Sequence, residues 1–464
     1  MEIVVRQEER HLISGNMANH YRVLPKKLDS GILSVYIDEK NNTVDIQDEL
    51  RLLLGHEMLF MPFSGNEIEK ALAIHYRQER VSNSGQLSID KGDFLDSLVQ
   101  EAISLKSSDI HFEVYEDSAR VRFRIDGHLI ERYKINRENY LEIVNKIKIR
   151  SKLNITEKRL PQDGRITNDK FDIRVSILPT LFGEKIVMRL LGQDASNISL
   201  NALGLEDEEL QRYLEAVKKP NGILLISGPT GSGKTTTLYA TLSLLNDSKR
   251  NIVTVEDPIE YTLKGINQVQ LKEDIGLTFA SALKSFLRQD PDIIMLGEIR
   301  DSETALMAIR ASLTGHLVLS TIHTNSALGT ISRLIDMGVP SYLIAETLNL
   351  SVAQRLLRKL CPDCKEEVDC NVRDFPAGYE LPYEVTKIYK ASGCNQCYHT
   401  GYKGRRAIYE VIKIDHNIAL AIKDNSIDKL YKGKNHKSLP DKAFDILAEG
   451  ETSLEEIYSI LINI

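Results

Sequence analysis

Apolar residues recur with two periods along the chain, and the switches between them divide it. Near the start, Ile32–Ile37 alternates like a strand, and Glu67–Arg77 (EIEKALAIHYR) repeats its apolar positions at helical spacing. Val81–Asp93 (VSNSGQLSIDKGD) shows neither period and is rich in Ser, Gly, Asn and Asp, which predicts a linker. Leu95–Leu105 then reads as an amphipathic helix, Ile110–Val114 and Ala119–Ile125 as strands, and Glu138–Lys152 as a long helix. Phe171–Leu178 and Ile186–Leu191 alternate again. Strands around one long helix predict a compact α+β domain. From Leu200 the pattern becomes strand followed by helix. Strands are expected at Ile223–Ser227, Ile252–Val255, Ile293–Leu296 and Leu317–Ile322, with helices at about Thr235–Leu245, Ala280–Arg288 and Ser302–Leu313. Such an order predicts a parallel sheet covered by helices on both faces. Past Leu356 come two cysteine pairs and then a C-terminus expected to be largely helical. The expected division is a small partner-docking domain at 1–82, a linker at 83–93, a middle α+β domain at 94–196 and an α/β domain at 197–464.

Composition narrows the class. At about 150 residues per domain, 464 residues allow about three domains. A hydrophobic fraction of 42% with 27% charged residues suits a globular protein and excludes wholesale disorder. The formal net charge of −7 argues against a protein that grips nucleic acid through a basic surface. No apolar run approaches the roughly 18–20 residues that span a bilayer. The N-terminus MEIVVRQEER carries charge where a signal peptide needs an apolar core, so a cytoplasmic chain is expected. Five cysteines, four of them in two Cys-x-x-Cys pairs, suggest a metal site in a reducing compartment more than a disulfide framework.

The sharpest chemical signal is Gly228-Pro229-Thr230-Gly231-Ser232-Gly233-Lys234-Thr235, followed by Thr236. It matches Gly-x-x-x-x-Gly-Lys-[Ser/Thr] throughout, follows an apolar strand and opens a helix, which is the context that a phosphate-binding loop requires. Its glycines let backbone N–H groups turn inward as a nest, and the helix N-terminus adds the positive end of its dipole. In that role Lys234 reaches the β- and γ-phosphates of ATP, and the Thr235 hydroxyl ligates Mg²⁺.

Acidic residues follow two other strands. In Thr254-Val-Glu-Asp-Pro-Ile-Glu-Tyr261, the acids stand just past a strand end that faces the same crevice as the loop. Glu256 and Asp257 read equally as solvated loop charges, whereas Glu260, beyond Pro258, could hold or deprotonate an attacking water. The strand Ile293–Leu296 runs into Gly297 and Glu298, the expected place of the Mg²⁺-associated acid. His316 opens the next strand and His323 follows it; a histidine at a strand end is more often structural, and His323 is the better candidate for phosphate contact.

Cys361-Pro-Asp-Cys364 and Cys394-Asn-Gln-Cys397 are separated by residues 365–393. Two such knuckles suit tetrahedral thiolate ligation of a structural Zn²⁺, with iron as the alternative. Cys370 is left over. Arg355, Arg358, Lys359, Lys403, Arg405 and Arg406 crowd the same region, as a solvated face, a subunit contact or a patch for anionic lipid.

Together these segments resemble the secretion-ATPase superfamily, in particular the assembly ATPases of type II secretion and type IV pilus systems (GspE/PilB-like). The resemblance covers roughly residues 94–464. It rests on GPTGSGKTTT at 228–237, TVEDPIEY at 254–261, LRQDPDIIMLGEIRD at 287–301, ASLTGHLVLSTIHTN at 311–325, QRLLRKLC at 354–361 and the tetracysteine. SSDIHFE at 107–113, RLPQDGR at 159–165 and the strands to residue 191 resemble the family's second N-terminal domain. The resemblance implies a RecA-like P-loop ATPase domain, a preceding PAS-like α+β domain, a small N-terminal domain and a zinc-binding tetracysteine insertion at 361–397. It implies that Glu260 is the catalytic glutamate and Glu298 the Walker B glutamate, and that His316 and His323 are the two His-box positions. Arg174 and Arg189 match arginines that reach the nucleotide from the preceding domain. It also implies a homohexamer at the inner membrane, bound to a platform protein and a membrane anchor and acting on pseudopilins indirectly. The arginine-, leucine- and glycine-rich motifs that bind a cyclic dinucleotide in some relatives are not visible in residues 1–80.

The expected function is an ATP-driven motor of type II secretion, with a pilus-extension motor as the near alternative. A DNA-transfer ATPase would need a nucleic-acid surface that the charge does not favour. A nucleotide switch without turnover would need neither Glu260 nor Glu298.

Overall fold

The computed structural model describes residues 15–29, 31–75, 85–86, 94–167, 171–191, 199–426 and 437–462, with a few positions before 15. Its strands form three main sheets and one small one.

The first sheet joins β1 (Val23–Asp29), β2 (Ile32–Asp38) and β3 (Glu57–Phe63), with α1 (Gly15–Tyr21), α2 (Val44–Leu54) and α3 (Gly65–His75) around it. The proposed linker lies outside the described residues, except for β4 (Gly85–Gln86), which pairs with a strand of the second sheet.

That second sheet has seven strands in the order β4-β7-β6-β5-β10-β9-β8. They are β5 (Asp109–Val114), β6 (Ala119–Ile125), β7 (His128–Ile135), β8 (Gln162–Thr167), β9 (Asp172–Thr180) and β10 (Gly183–Leu191). One face packs on α4 (Phe94–Ser104) and α5 (Arg137–Arg150) through Ile110, Phe112, Val121, Phe123, Ile173 and Val175. Because strand side chains alternate, the other face collects Asp109, His111, Glu113, Arg120, Arg122 and Arg124. The alternating runs at β5, β6, β9 and β10 were legible in the sequence, whereas β7 and β8 were not: six of the eight positions of β7 are half-buried, so it has no clean alternation.

The third sheet has the order β13-β12-β14-β15-β11-β16-β19. Its members are β11 (Gly222–Ser227), β12 (Ile252–Glu256), β13 (Asn267–Gln270), β14 (Ile293–Leu296), β15 (Leu317–Ile322), β16 (Leu348–Leu360) and β19 (Tyr402–Lys413). All neighbours are parallel except β16 and β19. In β11, Ile223 and Leu225 enter the core shared with α8 (Phe279–Phe286), α9 (Ser302–Leu313) and α10 (Ala327–Asp336). Leu224 and Ile226 enter the opposite core, with α6 (Asp207–Val217) and α7 (Lys234–Leu245). Burial on both faces explains why this strand is apolar without alternation.

Two long strands that the hydrophobic pattern did not predict bracket the cysteine pairs, ahead of the C-terminal helices. β16 and β19 are 13 and 12 residues long and pair antiparallel. The small sheet β17 (Glu366–Asp369) and β18 (Lys387–Lys390) lies between them in sequence. The helices α11 (Ser341–Thr347), α12 (His416–Lys423), α13 (Leu439–Ala448) and α14 (Leu454–Ile462) complete the fold.

Candidate active site

The loop 228–235 leaves the C-terminal end of β11 and enters α7. Gly228 and Gly233 have φ of 145° and 89°, and a Cβ at either would meet Gln354, its carbonyl oxygen at 2.5 Å and its Nε2 at 2.8 Å respectively. Both positions therefore demand glycine for conformation and for space. Lys234 Nζ donates to the carbonyls of Gly228 (2.8 Å) and Pro229 (3.0 Å), lying across the loop. Its pKa is lowered, first by burial, with the Glu298 charge opposing and Arg355 adding to the effect. Thr235 is exposed and Thr236 half-buried.

Glu298 follows β14 and is half-buried. Its carboxylate accepts from Arg300 through one oxygen and lies 3.0 Å from His323 Nε2 through the other. Burial would raise its pKa, but Arg300, seconded by His323, outweighs burial and holds it below the usual carboxylate range. The strand ends are tied together behind it: Thr321 Oγ1 donates to the Gly297 carbonyl at 2.7 Å, and Ile299 N–H donates to that of Thr321 at 2.9 Å.

Glu256 is not a solvated loop charge; it is 3% exposed and is the last residue of β12. It accepts from the Tyr239 hydroxyl, from Thr254 Oγ1 at 2.5 Å and from Gln268 Nε2 at 3.1 Å. Tyr239 in turn stands edge-on to Tyr261 with ring centroids 4.5 Å apart, and its hydroxyl oxygen accepts from Glu260 N–H at 3.4 Å. This network fixes both ends of the turn that carries Glu260, within which the Asp257–Pro258 bond is cis. Asp257 meets Arg300 at 3.4 Å.

The middle domain reaches this turn. Arg174 and Arg189 are direct partners across β9 and β10. Arg174 donates to the carbonyl of Ile259 and has Nη1 4.0 Å from Glu260 Oε2. Arg189 pairs with Asp109 of its own sheet at 3.1 Å. Within one chain, then, the structure brings Arg174 to the crevice and leaves Arg189 on the middle sheet. His316 is separated from the crevice as well. It precedes β15, whose first residue pairs with Gly222, so it stands one strand length, about 20 Å, from the loop. Its Nδ1 lies 2.8 Å from the Ala311 carbonyl, which makes it a helix-to-strand joint within the chain. His323, at the other end of β15, is in the crevice.

The four cysteines converge in a second site. Their sulfurs all lie within 4.8 Å of one another, with Cys361–Cys394, Cys364–Cys397 and Cys394–Cys397 at 3.9, 3.7 and 3.8 Å. A tetrahedron of sulfurs about 2.3 Å from a central Zn²⁺ has edges of about 3.8 Å, so the donor set fits that ion. Backbone N–H groups of Gly393, Cys394 and Gly401 point at Sγ of Cys364, Cys397 and Cys397, at 3.3, 3.2 and 3.2 Å. Such donors favour thiolates.

The family model described as "Type II/IV secretion system protein" matches residues 88–459. The chain belongs to the type II/IV secretion system protein family. It is a secretion ATPase with a RecA-like P-loop domain. It is 45% identical to the type II secretion system protein E of Pseudomonas aeruginosa over 373 residues, 79% of this chain and 74% of that one. It is 40% identical to the type IV pilus assembly ATPase PilB of Myxococcus xanthus over 485 aligned positions, 96% of this chain and 85% of that one. The pilus retraction motor PilT with bound ADP superimposes with a TM-score of 0.55 at 26% identity, covering 79% of this chain and 96% of that one. The ATPase DotB of Legionella pneumophila shares the fold, with a TM-score of 0.60 at 21% identity over 82% of this chain and 98% of its own.

Within this secretion ATPase, the parts that several residues play around the site escaped sequence reasoning. Gln354 and Arg355 lie against the phosphate loop, Arg355 donating to the Gln354 carbonyl (3.1 Å) and to that of Asn325 (3.0 Å). Tyr239 and Gln268 brace the Glu260 turn. A tyrosine in a helix and a glutamine in a short strand carry no motif, and only the fold places them together. The basic cluster near the cysteines also changes meaning. Arg358 pairs with Glu456, Lys359 with Glu451 (3.3 Å), Lys403 with Asp363 (3.9 Å), Arg405 with Asp126 (3.5 Å) and Arg406 with Glu451 (2.9 Å). Five of its six members thus have an acidic partner within the chain, while Arg355 donates to carbonyls beside the phosphate loop.

Proposed function

We propose that the chain is the motor ATPase of a type II secretion machine, drawing work from ATP at the crevice between its middle and ATPase domains. The observation that carries the reading is convergence. A phosphate loop with Lys234, an acid behind it at Glu298 and a second acid at Glu260 meet an arginine, Arg174, delivered from another sheet.

In this reading the N–H groups of Gly231 to Thr235 and the Lys234 ammonium cradle the β- and γ-phosphates, with Thr236 at the α-phosphate side of the helix start. Thr235 and Glu298 offer the hard oxygen donors that would hold Mg²⁺, whose charge would offset that of the phosphates. Glu260 orients and deprotonates the water. Arg174 moves from Glu260 to the γ-phosphate when the middle domain closes, which excludes water from the crevice. His323 reports the state of Glu298 to β15. Arg189 acts only in a more closed arrangement than this one, and His316 only across a subunit boundary. The Cys361, Cys364, Cys394 and Cys397 site is read as a structural Zn²⁺ centre. The working unit is read as a homohexamer, held at the inner membrane by a platform protein and by an anchor that docks on residues 1–82. No helix among the described residues is long and apolar enough to cross a membrane.

Lys234→Ala tests the reading directly. Loss of a charge-assisted phosphate contact costs about 1.5–3 kcal/mol of nucleotide binding and removes the charge that the transition state needs. The purified variant is expected to show no steady-state ATP hydrolysis; turnover near the parental rate would overturn the site. The pilus-extension reading is favoured by the PilB match, which spans 96% of this chain. Deleting the chain from its host separates the two: exported proteins vanish from the medium in one case, and surface pili in the other.

A further inference from the structure

The phosphate loop has a brace that no loop motif contains. β16 pairs with β11 in parallel, Ser227 opposite Ala353, so the next residue of each strand, Gly228 and Gln354, meet beyond the paired ends. Gln354 is 2% exposed. Its Nε2 donates to the Ser232 carbonyl at 2.7 Å, and its Oε1 accepts from Thr237 Oγ1 at 2.9 Å. One side-chain amide thus joins the loop to the first turn of α7.

The physical reason for such a brace lies in the shape of a nest. When successive N–H groups converge on an anion, the carbonyls between them must turn outward, and each buried one needs a donor. Lys234 serves the carbonyls of Gly228 and Pro229. Gln354 serves that of Ser232, and an amide is suited to the place because it both donates and accepts. Gly233 is also shaped by it, since a Cβ there would come within 2.8 Å of the Gln354 Nε2, whereas at Gly228 the clash is with the backbone carbonyl of residue 354.

We infer that Gln354 is a positioning residue for nucleotide binding: it holds the Ser232 carbonyl away from the nest, so that the loop is ordered before the phosphates arrive. The inference rests on the reading of 228–235 as the phosphate loop. It makes the long β16–β19 hairpin, and not β11 alone, the template of that loop. Without the brace, nucleotide binding must itself order the loop, and affinity falls.

The test uses the full chain with Mg²⁺ and fluorescent mant-ADP, beside steady-state ATP hydrolysis. Gln354→Met keeps the length of the side chain and removes donor and acceptor; Gln354→Glu keeps the acceptor for Thr237 and removes the donor to Ser232. Each is expected to raise the Kd for mant-ADP and the KM for ATP by about tenfold, more than it changes kcat. Parental Kd and KM in both variants would overturn the inference. So would activity that falls only in step with the folded fraction seen by circular dichroism, at unchanged KM, because that is the signature of a core-filling residue. If Gln354→Met does not fold, the same two readings of Gln354→Glu decide. A parent chain that binds no mant-ADP overturns the phosphate-loop reading itself, an outcome distinct from failure of the variants alone.

Discussion

Glu298 shows how a single carboxylate is prepared. It is held between Arg300 and His323, and both partners favour its charged form. Its folded pKa is depressed, so the stability that it contributes is present above the ordinary carboxylate pKa and lost as pH falls through the folded one. Glu298→Gln keeps the size and most of the hydrogen bonding. The variant is expected to bind nucleotide like the parent, to lose turnover by at least about a hundredfold and to lose less stability than the parent below about pH 4. Nucleotide titration, hydrolysis and acid denaturation check the three parts. Loss of binding together with activity would make the residue structural.

At the scale of elements, the tetracysteine ties together the loop end of the β16–β19 hairpin. Cys361 follows β16 directly, and its N–H donates to the Gly401 carbonyl at 2.9 Å, just before β19 begins. The knuckle also touches the middle domain: Tyr398 packs against that domain's core, and Gly404 N–H donates to Asp126 Oδ2 at 2.7 Å. About one Zn²⁺ per chain is expected in protein purified without added zinc. Replacing Cys361 and Cys364 by Ser should raise hydrogen exchange at residues 361–404 while mant-ADP binding persists; well-folded parent protein without metal would refute the site. The elements also show what the sequence could disclose. β11, β12, β14 and β15 were legible because two-sided burial makes a parallel strand a continuous apolar run. β16 and β19 were not, because their polar positions Gln354, Arg355, Arg358, Arg405 and Arg406 find partners across the fold, which no local pattern reveals. The same holds for the site: the loop, Glu298 and the cysteines announce themselves by spacing, whereas Tyr239, Gln268 and Gln354 act through contacts with residues such as Glu256 and Ser232, 12 to 122 positions apart.

The whole molecule brings one arginine to the crevice from a sheet that could be mistaken for a mere neighbour. An arginine on a strand usually serves a surface ion pair worth about 0–1 kcal/mol, and Arg189, paired with Asp109, has that form here. Arg174 does not. It crosses 85 positions of sequence to reach the Ile259 carbonyl and stands beside Glu260. On the proposed reading of Glu260 as the water-activating acid, a guanidinium parked on its turn is a short movement from the phosphate that this water attacks. Charge spreads over the outer oxygens of the transferred phosphoryl group, and a planar fork arriving only on closure stabilises that state more than the ground state. Arg174→Ala is therefore expected to cut kcat by at least about tenfold with little change in mant-ADP affinity. Arg174→Lys should recover little, because a point charge lacks the fork. Arg189→Ala separates the two geometries. If the working closure brings both arginines of the pair to the nucleotide, it falls in step with Arg174→Ala; if the arrangement seen here is the working one, it stays near the parent. Steady-state hydrolysis of folded variants reads the difference, and parental rates in both alanine variants would leave the middle domain with no part in the chemistry.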